Sequence, residues 1–139
     1  LIMIKKILIG AAKARKIRVN AGQTTSFLWE DENVFSTPSM ISEMEETCRL
    51  LLKEEFLQDK EWDSVGTLVI IRHLKATPVG AEIKLKAKVV NVNNRRVTFE
   101  VNAVDKMEKI GEGLHERTII NVPEFRERFN TKLKKLETL

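Results

Sequence analysis

The stretch EIKLKAKVVNVNNRRVTFEVNAV, residues 82–104, decides the fold because it alternates apolar and polar residues on both sides of one turn. The runs 82–92 and 95–104 keep every second residue apolar, which is typical of half-buried β-strands. Asn93 and Asn94 between them favour a tight hairpin turn. The residues predicted to face inward are Ile83, Leu85, Ala87, Val89, Val97, Phe99, Val101 and Ala103. The stretch therefore predicts an antiparallel hairpin with one apolar face.

Three further strands are predicted around this hairpin. Residues 64–76 are rich in β-branched side chains and precede a turn at 77–80. Residues 110–122 follow a turn at 105–109 and read as the last strand, while residues 15–20 alternate as a short first strand. The chain is therefore expected to form a sheet of about five strands.

One long helix is predicted between the first strand and the other four. We expect it to begin at Thr37 and Pro38, because threonine is a good N-cap and proline suits the first helical turn, and to end near Phe56. The predicted apolar face consists of Ile41, Met44, Cys48, Leu51 and Leu52. Residues 21–36 are expected to form a loop or lid with short helical turns. Its aromatic residues are Phe27, Trp29 and Phe35.

A basic amphipathic helix is predicted at the end of the chain, opening at Pro123. Its apolar face would carry Phe125, Phe129 and Leu133 or Leu136. With no repeat, linker or low-complexity tract, residues 1–139 are expected to form a single α+β domain with the long helix lying across the sheet. The edge strand of such a sheet is open to pairing with another chain, and the single helix covers only one face of the sheet well. A homodimer is therefore expected.

Composition narrows the classes of function. The 139 residues carry 24 basic and 20 acidic side chains, a net charge of +4, and the basic ones are scattered, which argues against nucleic acid as a partner. No stretch approaches the roughly 20 apolar residues of a membrane span. A single cysteine, Cys48, permits no internal disulfide, so we expect a reducing compartment, the cytoplasm. The chain lacks zinc-ligand spacing, a Gly-rich phosphate loop and a GxSxG elbow, so neither a metal nor a cofactor is expected.

A few polar residues could carry chemistry. Glu45 shares the helical spacing of the apolar face, so its carboxylate is either partly desolvated and useful as a base or nucleophile, or at the edge and directed to water. Thr37 is either only a cap or a hydroxyl at the positive helix end, where anionic intermediates are stabilised. His73 lies on the same strand face as two apolar residues and is either a general acid/base or a structural histidine. We expect a structural or ligand-positioning role for His115, and a place in the core for Cys48.

Taken together, several separated motifs resemble the fluoroacetyl-CoA thioesterase family. They are Val34-Phe35-Ser36-Thr37, Glu45 eight residues later, Gly66 and His73 seven apart, the 76–80 turn ATPVG, and the 111–117 segment GEGLHER. They occur in the family's order at nearly matching spacing, and the resemblance spans roughly residues 15–130. The predicted strand pattern is also the one that a hot-dog fold would give.

The resemblance implies a hot-dog dimer with acyl-CoA sites at the subunit interface. It implies a catalytic set of a threonine, a glutamate and a histidine, which match Thr37, Glu45 and His73. Substrate-binding residues are expected at Gly66, Arg117 and Phe35, with Gly66 where the backbone would approach the acyl thioester closely.

The substrate class follows from where the chain departs from the family pattern. Pro38 and Ser39 follow the threonine and Glu46 follows the glutamate, in place of the family's Gly, large aromatic residue and Trp. Because these positions surround the acyl pocket, we expect a general short-chain acyl-CoA rather than a fluorinated one, and no bound cofactor besides the CoA of the substrate. The alternative is a hot-dog protein that binds acyl-CoA without catalysis.

Overall fold

The computed structural model of the chain describes residues 5–25 and 33–139, so the predicted lid aromatics Phe27 and Trp29 lie outside the described residues. The strands are β1 (Ala12–Arg18), β2 (Trp62–His73), β3 (Glu82–Asn93), β4 (Arg96–Val104) and β5 (Lys109–Asn121). The helices are α1 (Thr37–Glu55) and α2 (Val122–Glu137), with a short 3-10 helix at Ala21–Gln23. The predicted order of elements is confirmed.

The five strands form one antiparallel sheet in the order β1-β3-β4-β5-β2, and α1 packs across one face of it. The hairpin residues predicted to face inward are all buried beneath α1, as the alternation requires. Asn94 has a φ of +56°, the left-handed conformation that asparagine tolerates in a tight turn. The α+β architecture predicted from the sequence is therefore present.

The outer strands begin earlier than their local patterns suggest. β2 starts at Trp62 rather than residue 64, because Trp62 pairs with Asn121 at the end of β5. β1 spans Ala12–Arg18 rather than 15–20, because Ala12 finds a partner in Lys88 of β3. A strand extends as far as its neighbour offers hydrogen-bonding partners, and that information lies elsewhere in the chain.

The start of α1 differs from the prediction in one residue. Ser36, not Thr37, is the N-cap: it has an extended backbone, and its hydroxyl accepts a hydrogen bond from the N–H of Ser39. Thr37 is the first helical residue, followed by Pro38. The prediction of Thr37 as the cap was therefore wrong, because serine caps at least as well as threonine and lies one residue earlier. The Thr37 hydroxyl is left to make a contact outside the helix.

A β-bulge interrupts β2. Gly66 pairs with Arg117 and Leu68 pairs with Glu116 of β5, so Thr67 between them is the extra residue. In a regular strand, residues seven apart face opposite sides of the sheet. The extra residue at Thr67 shifts the alternation of side chains by one position, so Gly66 and His73 both face α1.

Helix α2 continues directly from β5. Its N-cap is Asn121, whose side chain accepts from the N–H of Glu124, and it begins at Val122, one residue before the predicted start. The predicted apolar face is exposed in a single chain and comprises Phe125, Phe129, Leu133 and Leu136. Within the described ranges, neither this helix nor α1 is both long and apolar enough to cross a membrane.

Candidate active site

Thr37 and His73 meet at the start of α1. The Thr37 Oγ1 lies 2.8 Å from the His73 Nδ1, which joins the helix to the end of β2. The contact depends on the N-cap, because Ser36 supplies the capping hydroxyl and leaves that of Thr37 free. A hydroxyl at this position also lies at the positive end of the helix dipole.

A pocket of about 350 Å³ opens beside this pair. Its wall combines four apolar residues with four polar ones, among them the Thr37–His73 pair; the lining is Thr25, Val34, Phe35, Thr37, His73, Leu74, Lys75 and Ala76. Among the described residues, the buried Nε2 of His73 has no hydrogen-bond partner. Burial lowers the pKa of His73, with the backbone of Lys75 opposing the shift, so the imidazole is neutral near pH 7. A neutral ring with one free nitrogen can exchange a proton with a ligand in the pocket.

Glu45 belongs to a second group, farther along α1. Its side chain is 39% exposed, and Oε2 lies 3.7 Å from Nη1 of Arg117 on β5. Gly66 on β2 faces the same carboxylate so closely that a Cβ there would lie 2.9 Å from Oε2. The glycine therefore gives the carboxylate room to approach the sheet, and the arginine provides a counter-charge.

Arg117 is only 5% exposed, and its guanidinium group contacts several hydrogen-bond acceptors. Its Nε donates to the Ser64 hydroxyl at 2.7 Å, and its Nη2 donates to the Ser64 carbonyl at 2.8 Å. Its Nη1 lies 3.1 Å from Nε2 of His115. Burial lowers the pKa of Arg117 and the Glu45 carboxylate opposes that shift, so the buried cation keeps its charge.

Ser64 was not predicted as a site residue, and His115 was expected to have a structural or ligand-positioning role without named partners. Alternation alone puts Ser64 with Gly66 on one face of β2, and His115 with Arg117 on one face of β5. The sequence does not give the register that sets Gly66 opposite Arg117, nor the bulge at Thr67 that precedes Leu68. The contact of His115 with the Leu68 carbonyl could therefore not be derived from spacing alone.

A single chain keeps the two groups apart. Thr37 and Glu45 are eight residues apart on α1, about 12 Å along the helix axis. Gly66 and His73 are separated by about 20 Å along β2. Thr37, His73 and Phe35 thus lie together, and so do Glu45, Gly66 and Arg117. Glu45 does not reach the imidazole of its own chain.

Other chemistries find no support among the described residues. Burial raises the pKa of the Cys48 thiol to about 12, so a nucleophilic thiolate does not form near neutrality. No group of three or more His, Cys, Asp and Glu side chains in residues 5–25 and 33–139 could hold a metal ion. What the two groups offer is a neutral imidazole, a hydroxyl and an arginine-paired carboxylate, which suit acid–base or nucleophilic chemistry.

Comparison with known proteins identifies the family. Residues 19–123 match the family described as fluoroacetyl-CoA-specific thioesterase. The fluoroacetyl-CoA thioesterase of Streptantibioticus cattleyicolor is 34% identical over 105 residues, which cover 76% of this chain and 71% of that protein.

Solved structures agree with this assignment. The fluoroacetyl-CoA thioesterase FlK superposes with a TM-score of 0.81 at 28% identity, covering 94% of this chain and 98% of that one. A hot-dog-like protein from Thermanaerovibrio acidaminovorans has a TM-score of 0.80 at 19% identity, covering 89% and 91% of the two chains, and so supports the fold alone. The predicted hot-dog fold is confirmed, and the chain belongs to the fluoroacetyl-CoA-specific thioesterase family.

Proposed function

We propose that this protein hydrolyses a short-chain acyl-CoA thioester, adding water across the C–S bond to release a free acid and CoA thiol. The observation that carries the proposal is the neutral Thr37–His73 pair, which lines a pocket with Phe35 and whose buried Nε2 has no hydrogen-bond partner among the described residues. The apolar side chains of the pocket suit a short acyl chain, and a neutral imidazole can take a proton from the hydrolytic water and pass it to the leaving thiolate. Family membership supports the same reaction.

The complete site is proposed to form in a homodimer. On its outer side β2 has no paired strand among the described residues, and its middle is exposed and apolar, with Ile70 at 57%. An exposed apolar edge is a template for pairing with another chain. Since one chain holds two incomplete groups, a partner that brings them together would complete the site.

The bulge favours one register for this pairing. With a twofold axis at Ile70, Val69 lies opposite Ile71 of the partner subunit, and Leu68 lies opposite the partner's Arg72. The bulge at Thr67 then brings Gly66 opposite His73 of the partner subunit, on the face that carries α1. Each side of the dimer would thus join a Thr37–His73 pair to the partner's Glu45.

In this composite site the three polar groups have distinct roles. Glu45 attacks the thioester carbonyl or activates the water that does so. Thr37 orients that carboxylate or donates to the developing oxyanion, at the positive end of α1. His73 takes a proton from the hydrolytic water and gives it to the departing sulfur. Backbone N–H groups near Gly66 would assist at the carbonyl oxygen.

Substrate and setting follow from the rest of the chain. Phe35 lines the acyl side of the pocket, and the departures at Pro38, Ser39 and Glu46 favour an unfluorinated acyl group. The net charge of +4 suits an anionic CoA ester, which is the only coenzyme proposed. A single unpaired cysteine fits a cytoplasmic setting.

A panel of acyl-CoA esters from acetyl to long-chain, with detection of free thiol, tests the activity. Wild type should release thiol from short-chain esters, and Glu45→Gln or His73→Gln should slow release by about 10²–10⁴-fold. Glu55→Gln, which changes an exposed glutamate at the far end of the same helix, is the matched control and should retain the wild-type rate. Tight binding of the esters with no thiol release would instead establish the non-catalytic alternative.

Mixing two inactive variants tests the composite site. When Glu45→Gln and His73→Gln chains are refolded together, random pairing should restore about a quarter of the wild-type activity, because half of the dimers contain one intact site. If each site used Glu45 and His73 of the same chain, the mixture would stay inactive.

A further inference from the structure

His115 is enclosed in the sheet beside Arg117. The residue is 1% exposed, and its ring stacks on Phe99 with centroids 6.5 Å apart and an angle of 26° between the planes. Its Nδ1 lies 2.8 Å from the carbonyl oxygen of Leu68, immediately after the bulge in β2. The imidazole is therefore fixed both in its plane and at its edge.

The partners of His115 determine its protonation state. A carbonyl oxygen can only accept, so Nδ1 carries the proton that it donates to Leu68. A guanidinium nitrogen can only donate, so Nε2 carries a lone pair and accepts from Arg117. His115 is thus a neutral imidazole with a single tautomer. Burial lowers its pKa, the Leu68 carbonyl opposes this, and the charge of Arg117 lowers it further.

This acceptor completes the cage around Arg117. Ser64 takes the Nε and Nη2 donors, and His115 takes Nη1, the nitrogen that also lies 3.7 Å from Glu45. The Cβ that Gly66 lacks would lie 3.1 Å from Cε1 of His115 and 2.9 Å from Oε2 of Glu45. His115 and Glu45 therefore pack against the same small surface of β2.

We propose that His115 is a positioning residue for the Glu45 carboxylate. Its neutral Nε2 orients the guanidinium of Arg117, and that guanidinium sets where the carboxylate stands relative to the thioester. The inference rests on the proposed catalytic role of Glu45. It assigns His115 no contact with the substrate.

Two amide substitutions separate the two hydrogen bonds of His115. In His115→Gln the amide oxygen can occupy the place of Nε2 and accept from Arg117. In His115→Asn the shorter amide can replace only Nδ1, so it donates to Leu68 and leaves Arg117 Nη1 without its acceptor. Because a small misplacement of a reacting group slows chemistry strongly, kcat should fall about 10- to 100-fold in His115→Asn with little change in KM. His115→Gln should stay within about threefold of wild type in the same assay, since it keeps the bond that orients Arg117.

A second measurement separates positioning from folding. Combined with Glu45→Gln, His115→Asn should lower the residual rate no further, because it acts through the missing carboxylate. An equal loss in both backgrounds, or an equal loss in the Gln and Asn variants, would overturn the proposal in favour of a merely structural role. Normal kcat in His115→Asn alongside a slow Glu45→Gln would refute this inference alone, whereas normal turnover in Glu45→Gln would refute the proposed function.

Discussion

Because Gly66 has no side chain, the carboxylate of Glu45 can lie close to β2. A methyl group there would lie 2.9 Å from the Glu45 carboxylate, which can move, and 3.1 Å from Cε1 of the enclosed His115 ring, which has little room to move. We predict that Gly66→Ala lowers kcat by about 10- to 100-fold through displacement of the carboxylate. Stability should also fall, by about 1–3 kcal/mol, because the added methyl group crowds the buried ring.

The measurement is kcat together with urea unfolding of the same preparation. Gly22→Ala is the matched control, since its added Cβ would meet only the Asn20 side chain, at 3.3 Å. If Gly66→Ala retained the wild-type kcat, Glu45 would not need its observed position.

At the scale of single residues, the sequence predicts identities better than contacts. The order of Thr37, Glu45 and His73 along the chain was enough to select them, and the structure brings Thr37 against His73. The hydrogen bond from His115 to the Leu68 carbonyl depends on which residue of β2 lies opposite and on the extra residue in that strand. Neither is encoded by spacing, so this part of the site follows only from the folded structure.

At the start of α1, two neighbouring hydroxyl groups have different roles. Ser36 caps the helix and Thr37 contacts His73. We predict that Ser36→Ala lowers the free energy of unfolding by about 1 kcal/mol, because an orphan backbone N–H loses its acceptor. Thr37→Val keeps the cap and should leave stability almost unchanged while slowing thiol release.

Urea denaturation and the thiol assay, applied to both variants, test this division. A large loss of stability in Thr37→Val with none in Ser36→Ala would restore Thr37 as the cap and contradict the observed helix start.

The middle of β2 is the proposed contact between the two subunits of the homodimer. We predict that Ile70→Lys converts the dimer to monomers, because two lysines would face each other across the twofold axis. Activity should fall with it, since each site would lose half of its groups. Light scattering after size-exclusion chromatography, with circular dichroism as a check on folding, is the measurement.

Leu8→Lys is the matched control, because Leu8 and Ile70 are both 57% exposed but only Ile70 lies on the free edge. A dimer that survived Ile70→Lys with full activity would place the interface elsewhere.

Elements were predicted well where their pattern is local. The β3–β4 hairpin follows from alternation alone, because one face is core and the other is solvent. The outer strands were misplaced by two to three residues, because their ends follow their neighbours rather than their own side chains.

For the whole molecule, the two histidines link stability to pH. Burial lowers the pKa of both His73 and His115 below the ordinary value of 6.5. The unfolded chain therefore binds more protons as pH falls below about 6.5, and stability should decrease from pH 7.5 to 5.5, by at most about 1.4 kcal/mol per pH unit for each histidine. Urea unfolding across this range measures the slope.

The double variant His73→Gln/His115→Gln should flatten the slope in that window. Asp63 acts at lower pH: burial alone would raise its pKa, but hydrogen bonds from Arg49 and Ser64 lower it below 3.8. Its contribution is present above that value and is lost only as pH falls through the lowered pKa. An unchanged slope between pH 7.5 and 5.5 in the double variant would exclude the histidines as its source.

At this scale, the sequence predicts the fold and selects the site residues, but it does not say which chain supplies each of them. Within one chain, two turns of α1 separate the hydroxyl of Thr37 from the carboxylate of Glu45. The proposed second copy would bind along β2, which the sequence indicates only by the apolar residues of that strand.

Thr67 is one residue more in β2 than in the facing part of β5. Its deletion would leave Gly66 and His73 six residues apart, so a regular strand would still turn both toward the helix and only the local kink would be lost. One residue inserted between Leu68 and His73 would instead turn the end of the strand inside out and send the imidazole of His73 into solvent. No point substitution could undo that reversal, because the fault would lie in parity and not in chemistry.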